Sequence, residues 1–527
     1  MMIRNRRFRT ATVAAVSACA LVLSACGSGS SSNNSANESG EVGDPVAGGT
    51  ARIIQSAEPR TLDPAGLSNN WAFQPVVGNA LYGALLTNDV ETLDVQPEMA
   101  TEFTTTDGGS TFTLKLRPGI MFTDGTPLDA AAVKFNWDRL RDPAVGSNTT
   151  RLAVQVASTE VVDPATLRVT MASPNPTFAN AIMGGAMNWI ASPAALQQDA
   201  GAFDAAPVGA GPFTLSRWNR QDVMEFSRNP NYYDAPKPYL DGLSVRFVGD
   251  ANQRLNTMTT GGAELASESS RSNLALAEDA GLQTQVVPSS GGQFIAFNFR
   301  RAPFDDERAR RAITLALDTE ALDTVVYNGE GIVPTTFFEE GSPFFTDEPL
   351  PTPDHEAAQQ LFDELAAEGK PVKATYVSYA TTESKVLAEA VQAQLSAYDN
   401  VEIDVQIMEF QQAAARAMSH DFDLIISSAI VQDPDLALWN AFYGESKGNF
   451  TGVDDPQLDA ALAAGRVGAT TEDRRAAYDE MQKRLIELST GPLYTRATPS
   501  VIAATNLHGV HLYTLGSPMP EELWLSR

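Results

Sequence analysis

Cysteine is nearly missing from this chain. Of 527 residues only two are cysteines, Cys19 and Cys26, and both lie in the first 26 positions. A disulfide framework for the body of the protein is thereby excluded, as are thiolate-rich metal sites. Histidine is scarce too, with four residues. Positive charge is in deficit: 37 Lys and Arg stand against 65 Asp and Glu, a net charge of −28, which excludes a nucleic-acid partner of the usual electrostatic kind. Beyond position 25 no apolar run is long enough to span a membrane. No phosphate-loop Gly-x-x-x-x-Gly-Lys, His-Glu-x-x-His or Ser-x-x-Lys occurs, so those routes to phosphoryl transfer, zinc hydrolysis and serine–lysine acylation have no motif here.

The amino terminus has what the rest lacks. Arg4, Arg6, Arg7 and Arg9 precede an uncharged run over 10–25, short for a membrane span but suited to an export signal. It closes on Leu23-Ser24-Ala25-Cys26, which resembles the lipobox of bacterial lipoproteins. That resemblance implies a signal peptide over 1–25, acylation of Cys26, and a mature chain that begins there. Loss of the four arginines takes the net charge to about −32. Residues 26–49 are mostly Gly, Ser, Asn and acidic residues with almost nothing apolar, too polar to offset chain entropy by burial. They read as a flexible tether with a reach of roughly 25 Å.

Alternation of apolar and polar side chains predicts strands at 51–54, 111–117 (Phe112, Leu114 and Leu116 inward) and 167–171. A helix is expected over 130–140 and a hairpin over 213–226. After a buried strand at 294–299 the pattern changes: helices at 354–367, 383–398, 411–418 and 471–488 alternate with strands at 372–379, 401–407 and 422–427. Such alternation predicts a separate α/β domain over 301–490 with a largely parallel sheet, and 491–527 returns to the first domain. Parallel sheets bind ligands beyond the carboxyl ends of their strands, here at 376–379 and 427–430.

Six stretches resemble one family. They are Thr61-Leu62-Asp63-Pro64; Phe112 to Arg117 with Gly119 and Phe122-Thr123-Asp124-Gly125-Thr126-Pro127; Gly209 to Phe213; Asn229-Pro230-Asn231-Tyr232-Tyr233; Phe297-Asn298 to Arg311; and Asp433-Pro434. Their order and spacing resemble the family 5, or cluster C, solute-binding proteins of peptide and nickel ABC importers. The resemblance implies an α/β, two-lobed periplasmic-binding-protein-like fold with an additional inserted lobe. Lobe I would take 50–80, 206–300 and 491–527, the inserted lobe 81–205, and the α/β lobe 301–490, with crossings near 297–301 and 491–495. It further implies a monomer outside the cytoplasm, held at the membrane through Cys26, that closes on a solute and passes it to a membrane permease without a cofactor. A peptide is the family's default solute; a small carboxylate, a sugar or a metal chelate is the alternative.

Peptide-binding relatives place an aspartate for the ligand's amino group three residues before Asp-Pro. Ile430 stands there, so unless Asp433, Asp435 or another acid substitutes, the solute is uncharged or anionic at that end. Trp71, Trp189 and Trp439 are candidate flat walls, with core packing the alternative for each. Tyr379, Ser427 and Ser428 stand at the expected strand ends. Arg300, beside Arg301, could meet a carboxylate or pair across the lobes. His508 and His511 make too small a set for a metal site. Gly444-Glu445-Ser446-Lys447-Gly448 matches a nucleophile elbow and supports a secreted hydrolase as the competing class, but the elbow needs a strand before it, and 436–442 reads as a helix.

Overall fold

The computed structural model of the chain describes residues 43–526. The export segment, Cys26 and most of the tether lie outside the described residues. Within them, three sheets of four or more strands organise the chain. A seven-stranded sheet takes Thr50–Gln55, Phe213–Asn219, Val223–Arg228, Gly242–Phe247, Leu265–Glu268, Gln283–Val286 and Ser500–Ala503. A four-stranded sheet of Ala100–Thr104, Thr111–Leu116, Val156–Asp163 and Thr166–Met171 is inserted in sequence between the first two of those strands. A five-stranded sheet takes Ser290–Phe297, Val372–Tyr379, Val401–Met408, Leu424–Val431 and Leu493–Thr495.

The four-stranded sheet follows from its period of two. Phe112, Leu114 and Leu116 are buried on one face, under a helix spanning Ala130–Leu140. That helix starts where the Asp129 carboxylate accepts from the Ala132 amide at 2.9 Å, satisfying one of its free amino-terminal donors. Val133, Trp137 and Leu140 form its buried stripe, and the Trp137 indole donates to the Met187 carbonyl at 2.8 Å.

The five-stranded sheet is covered on both faces. Ile295 and Phe297 share one core with Ala309, Phe362 and Leu387, whereas Phe294 and Ala296 share the other with Leu438, Leu458 and Tyr478. Adjacent residues of one strand thus serve opposite layers of helices. Each such phenylalanine or leucine contributes roughly 1.5–3 kcal/mol by leaving water.

That sheet is mixed, which corrects the expectation of a largely parallel one. Val372–Tyr379 runs parallel to Val401–Met408 and to Leu424–Val431. Ser290–Phe297 runs antiparallel to Leu424–Val431 and to Leu493–Thr495. The reason is the pair of crossings. Ser290–Phe297 enters from the seven-stranded sheet and Leu493–Thr495 leaves toward it, so two strands of opposite direction lie side by side. The crossings themselves fall at 287–289 and 496–499, between Gln283–Val286 and Ser290–Phe297 and between Leu493–Thr495 and Ser500–Ala503. The expected changeover near 297–301 comes one strand late, because 290–297 already belongs to the five-stranded sheet.

Gly291 and Gly292, at the start of the entering strand, have φ of 65° and 151°. A Cβ on Gly291 would lie 1.9 Å from the Ala429 carbonyl oxygen, and one on Gly292 would lie 2.2 Å from that of Thr495. Only glycine lets the crossing backbones approach this closely. Among the described residues no helix is long and apolar enough to cross a membrane.

Candidate functional site

The two crossing strands form the floor of a cavity of 360 Å³. From the seven-stranded side it is lined by Trp71 and by 269–272, the turn that opens the Arg271–Asp279 helix. From the five-stranded side come Val326, Tyr327, Asn328, Glu330, Glu383 and Ile430. Gln293, Thr495, Arg496, Ala497 and Thr498 complete it from the crossings. A second cavity, of 250 Å³, shares Ile430 and continues between Asn180, Met183 and Asp433.

Two of the expected residues meet at the main cavity. Trp71 is 7 % exposed, and its indole N–H has no hydrogen-bond partner among the described residues, a costly state for a buried donor. Ile430 is half-buried and lines both cavities.

The other expected residues serve different ends. Trp189 is 0 % exposed; its indole donates to Asn79 Oδ1 at 2.9 Å, and it is a core residue. Trp439 stacks on Tyr443 with ring centres 3.7 Å apart and carries the Arg466 guanidinium 3.6 Å from its ring. Arg300 donates to the Phe450 and Asn449 carbonyls at 3.0 and 3.1 Å, tying down the loop behind Ser446. Ser427 and Ser428 sit inside the Leu424–Val431 strand, opposite Phe294 and Gln293, and not beyond its end. Tyr379 ends its strand half-buried against the second core, and burial raises its phenol pKa.

The acids near Ile430 are already engaged. Asp433 caps the Pro434–Phe442 helix by accepting from the Asp435 amide at 3.0 Å. It also takes Arg474 through two bonds of 2.8 and 2.9 Å and Asn180 at 3.1 Å. Asp435 accepts from Arg466 at 2.6 Å and from Asn175 at 3.0 Å; burial pushes its carboxyl up while Arg466 opposes this. Both carboxylates line the second cavity, but each is already paired with an arginine. Asn175 and Asn180 come from beside the four-stranded sheet, so these bonds join that region to the five-stranded one. Gln432 adds a bond from its amide to the Val90 carbonyl at 3.4 Å.

Ser446 follows the Pro434–Phe442 helix, with no strand before it, and its hydroxyl donates to the Asn440 carbonyl at 2.9 Å. It is a turn residue. His511 shares a bond with Glu522 at 3.0 Å and His508 stacks on Trp524. Among the described residues no group of three or more His, Cys, Asp or Glu could hold a metal.

The sequence profile of the bacterial extracellular solute-binding proteins, family 5 Middle, matches residues 94–449. The chain belongs to that family. The glutathione-binding protein GsiB of Escherichia coli (strain K12) is 34% identical over 280 residues, 52% of this chain and 54% of that protein. The chain thus spans about half the length of the curated relatives it matches. The structure of AgaA from A. tumefaciens R10, in complex with agropinic acid, superposes with a TM-score of 0.77 at 24% identity, over 91% of this chain and 99% of that one. That of the oligopeptide-binding protein AppA from Bacillus subtilis, in complex with a nonapeptide, gives 0.74 at 20%, over 92% and 100%. Identities this low show a shared fold, the two-lobed α/β architecture of periplasmic binding proteins.

Arg271, Glu330, Glu383 and the 495–498 segment were not among the residues expected from sequence. A signal for the first did exist: Ser267, Glu268, Ser269, Ser270 and Ser272 crowd the start of an apolar-periodic segment, as at a helix amino end.

Proposed function

We propose that this chain captures a solute outside the cytoplasm by closing two lobes on it and delivers it to the membrane permease of an ABC importer. The observation that carries the reading is the 360 Å³ cavity at the crossing strands, with walls from both the seven-stranded and the five-stranded sheets. A solute in it touches both walls only when they face each other, so it stabilises the closed arrangement by its differential affinity. No covalent chemistry on the solute is needed, in keeping with the turn geometry of Ser446.

The solute is a short peptide in this reading. Support comes from the relative named for glutathione binding and from a cavity near the small end of the ~300–1,000 Å³ range of small-molecule sites. The protein works as a monomer, and its lipidated Cys26 holds the body near its permease on the 26–49 tether. Native mass spectrometry of protein purified without denaturation tests the capture reading together with small-angle scattering. A retained small-molecule mass, and a smaller radius of gyration with solute than without, are expected; no retained mass and an identical profile in both states overturn it.

A further inference from the structure

A third cavity, of 50 Å³, shares no lining residue with the two that meet at Ile430. It lies at the carboxyl end of the Thr471–Leu488 helix, where the chain turns through Ser489, Thr490, Gly491 and Pro492 into the Leu493–Thr495 strand. Phe294, Leu317, Phe337, Phe442 and Leu485 wall it, none more than 5 % exposed. The rings of Phe294 and Phe442 stand with centres 5.6 Å apart. Most of the lining is therefore apolar.

The polar atoms that it does contain are acceptors. Gln482 lines the cavity and is 1 % exposed. Its amide nitrogen donates to Asp479 Oδ1 at 2.8 Å and to the Thr346 hydroxyl, and neither of those residues lines the cavity. Those bonds fix the orientation of the amide and leave Oε1 buried with no partner among the described residues, a costly state for an acceptor. The Thr314 hydroxyl gives its proton to the Arg310 carbonyl at 2.9 Å, and that of Thr490 to the Leu485 carbonyl at 3.5 Å. Each then has only lone pairs left to offer. The helix end adds the negative pole of its dipole.

These features restrict the occupant. An anion would meet acceptors and a negative helix end. An ammonium would be buried with no carboxylate among the lining residues. A hydrocarbon would leave Gln482 Oε1 bare. Since one water takes about 10–15 Å³ of such space, 50 Å³ holds roughly three or four heavy atoms. We propose that this cavity is a second binding site, which takes a short aliphatic alcohol: its hydroxyl donates to Gln482 Oε1 and its carbon body packs against Phe294, Phe337 and Phe442. The site stands apart from solute capture. Gln293 and Phe294 are neighbours on the entering strand, yet the first lines only the large cavity and the second only this one.

Methyl NMR on the full chain, labelled at Leu, Ile and Val, tests this with propan-2-ol and its isomer ethyl methyl ether, which has the same atoms and no donor. Propan-2-ol is expected to shift the methyls of Leu317, Leu485 and Leu493 saturably, with Val326 and Ile430 of the larger cavity not following that curve. The ether should bind tenfold or more weakly. Gln482→Met keeps the bulk and removes the acceptor, so it should bring the two probes to within about twofold of each other. Matching thermal unfolding curves would establish that the variant folds; if it does not, the two isomers on the parent decide alone. Shifts that only rise linearly with propan-2-ol, as in a cavity held by water, overturn the proposal. So does equal affinity of the parent for ether and alcohol, or a preference for the alcohol that survives in full in folded Gln482→Met.

Discussion

Asp433 and Arg474 meet through two parallel bonds, Nη1 to Oδ2 at 2.8 Å and Nη2 to Oδ1 at 2.9 Å. Their side chains are 16% and 8% exposed. The same carboxylate caps the Pro434–Phe442 helix and accepts from Asn180, across from the four-stranded sheet. One side chain thus holds a helix end and a junction between two regions. It is structural, although it stands only three residues from Ile430.

Two substitutions separate those duties. Asp433→Ala strands a buried guanidinium and is expected to cost about 3–5 kcal/mol of stability, seen as a large drop in denaturation midpoint. Asn180→Ala removes only the bond across the junction and should cost about 1 kcal/mol or less. It should nevertheless weaken solute binding if the four-stranded and five-stranded regions part when the solute leaves, since the bond then favours the closed arrangement. Wild-type stability in Asp433→Ala would show that the pair is dispensable, and unchanged affinity in Asn180→Ala would show that the junction does not report closure.

Local pattern carried much of the fold. The Val372–Tyr379 strand and the Ala130–Leu140 and Thr471–Leu488 helices stand where periodicity puts them. Leu424–Val431 was misplaced by a few residues: Ser427 and Ser428 interrupt the apolar run, yet their backbone continues the ladder opposite Phe294 and Gln293. The site was far less legible. A tryptophan in a core and one on a cavity wall are the same letter, and what settles Trp189 is Asn79, 110 positions away. Arg271 and Ile430 line one cavity though 159 positions apart, a neighbourhood that only the fold creates.

Anchoring is tested at the amino terminus. Cys26→Ser removes the proposed acylation site at the end of Leu23-Ser24-Ala25-Cys26. Since one acyl chain binds membranes only marginally and more than one binds stably, the variant is expected in the soluble fraction and the parent with membranes. Equal membrane association of the two by fractionation and immunoblotting would remove the lipid-anchor reading.

Ile430 lines both cavities, and the nearby acids are committed to arginines. Ile430→Asp would place a carboxylate against an apolar waist with no assured partner. The retained solute should bind more weakly by roughly 1 kcal/mol or more, read by calorimetry. Tighter binding would mean that the solute's ammonium lies beside Ile430 after all.

A pH dependence is built in at Glu521, which lines neither cavity. Its side chain is buried, with residue exposure of 3 %. Tyr232 donates to one carboxyl oxygen at 3.4 Å, and the other has no partner among the described residues. Burial, opposed first by its own backbone amide and more weakly by Lys237, and helped by the charges of Glu98 and Glu522, pushes its pKa up to about 8. Beside it, bonds from His511 and Lys237 hold Glu522 down at about 2 despite burial, and the bond to Glu522 raises His511. The folded protein therefore retains a proton on Glu521 that the unfolded chain has lost above its ordinary carboxylate pKa of roughly 4.3. The unfolded state binds fewer protons across that window, so stability falls as pH rises through it. His511 adds a loss of the same sign above its ordinary pKa, whereas Glu522 acts only in acid, its contribution lost as pH falls toward 2. Melting temperature should thus decline from about pH 5 to about pH 8 and level off above it. Glu521→Gln keeps a neutral group in the same space, so it should flatten most of that decline and leave the smaller His511 slope. Parallel melting curves of parent and variant, followed by circular dichroism across the window, would show that Glu521 is already ionised in the folded protein.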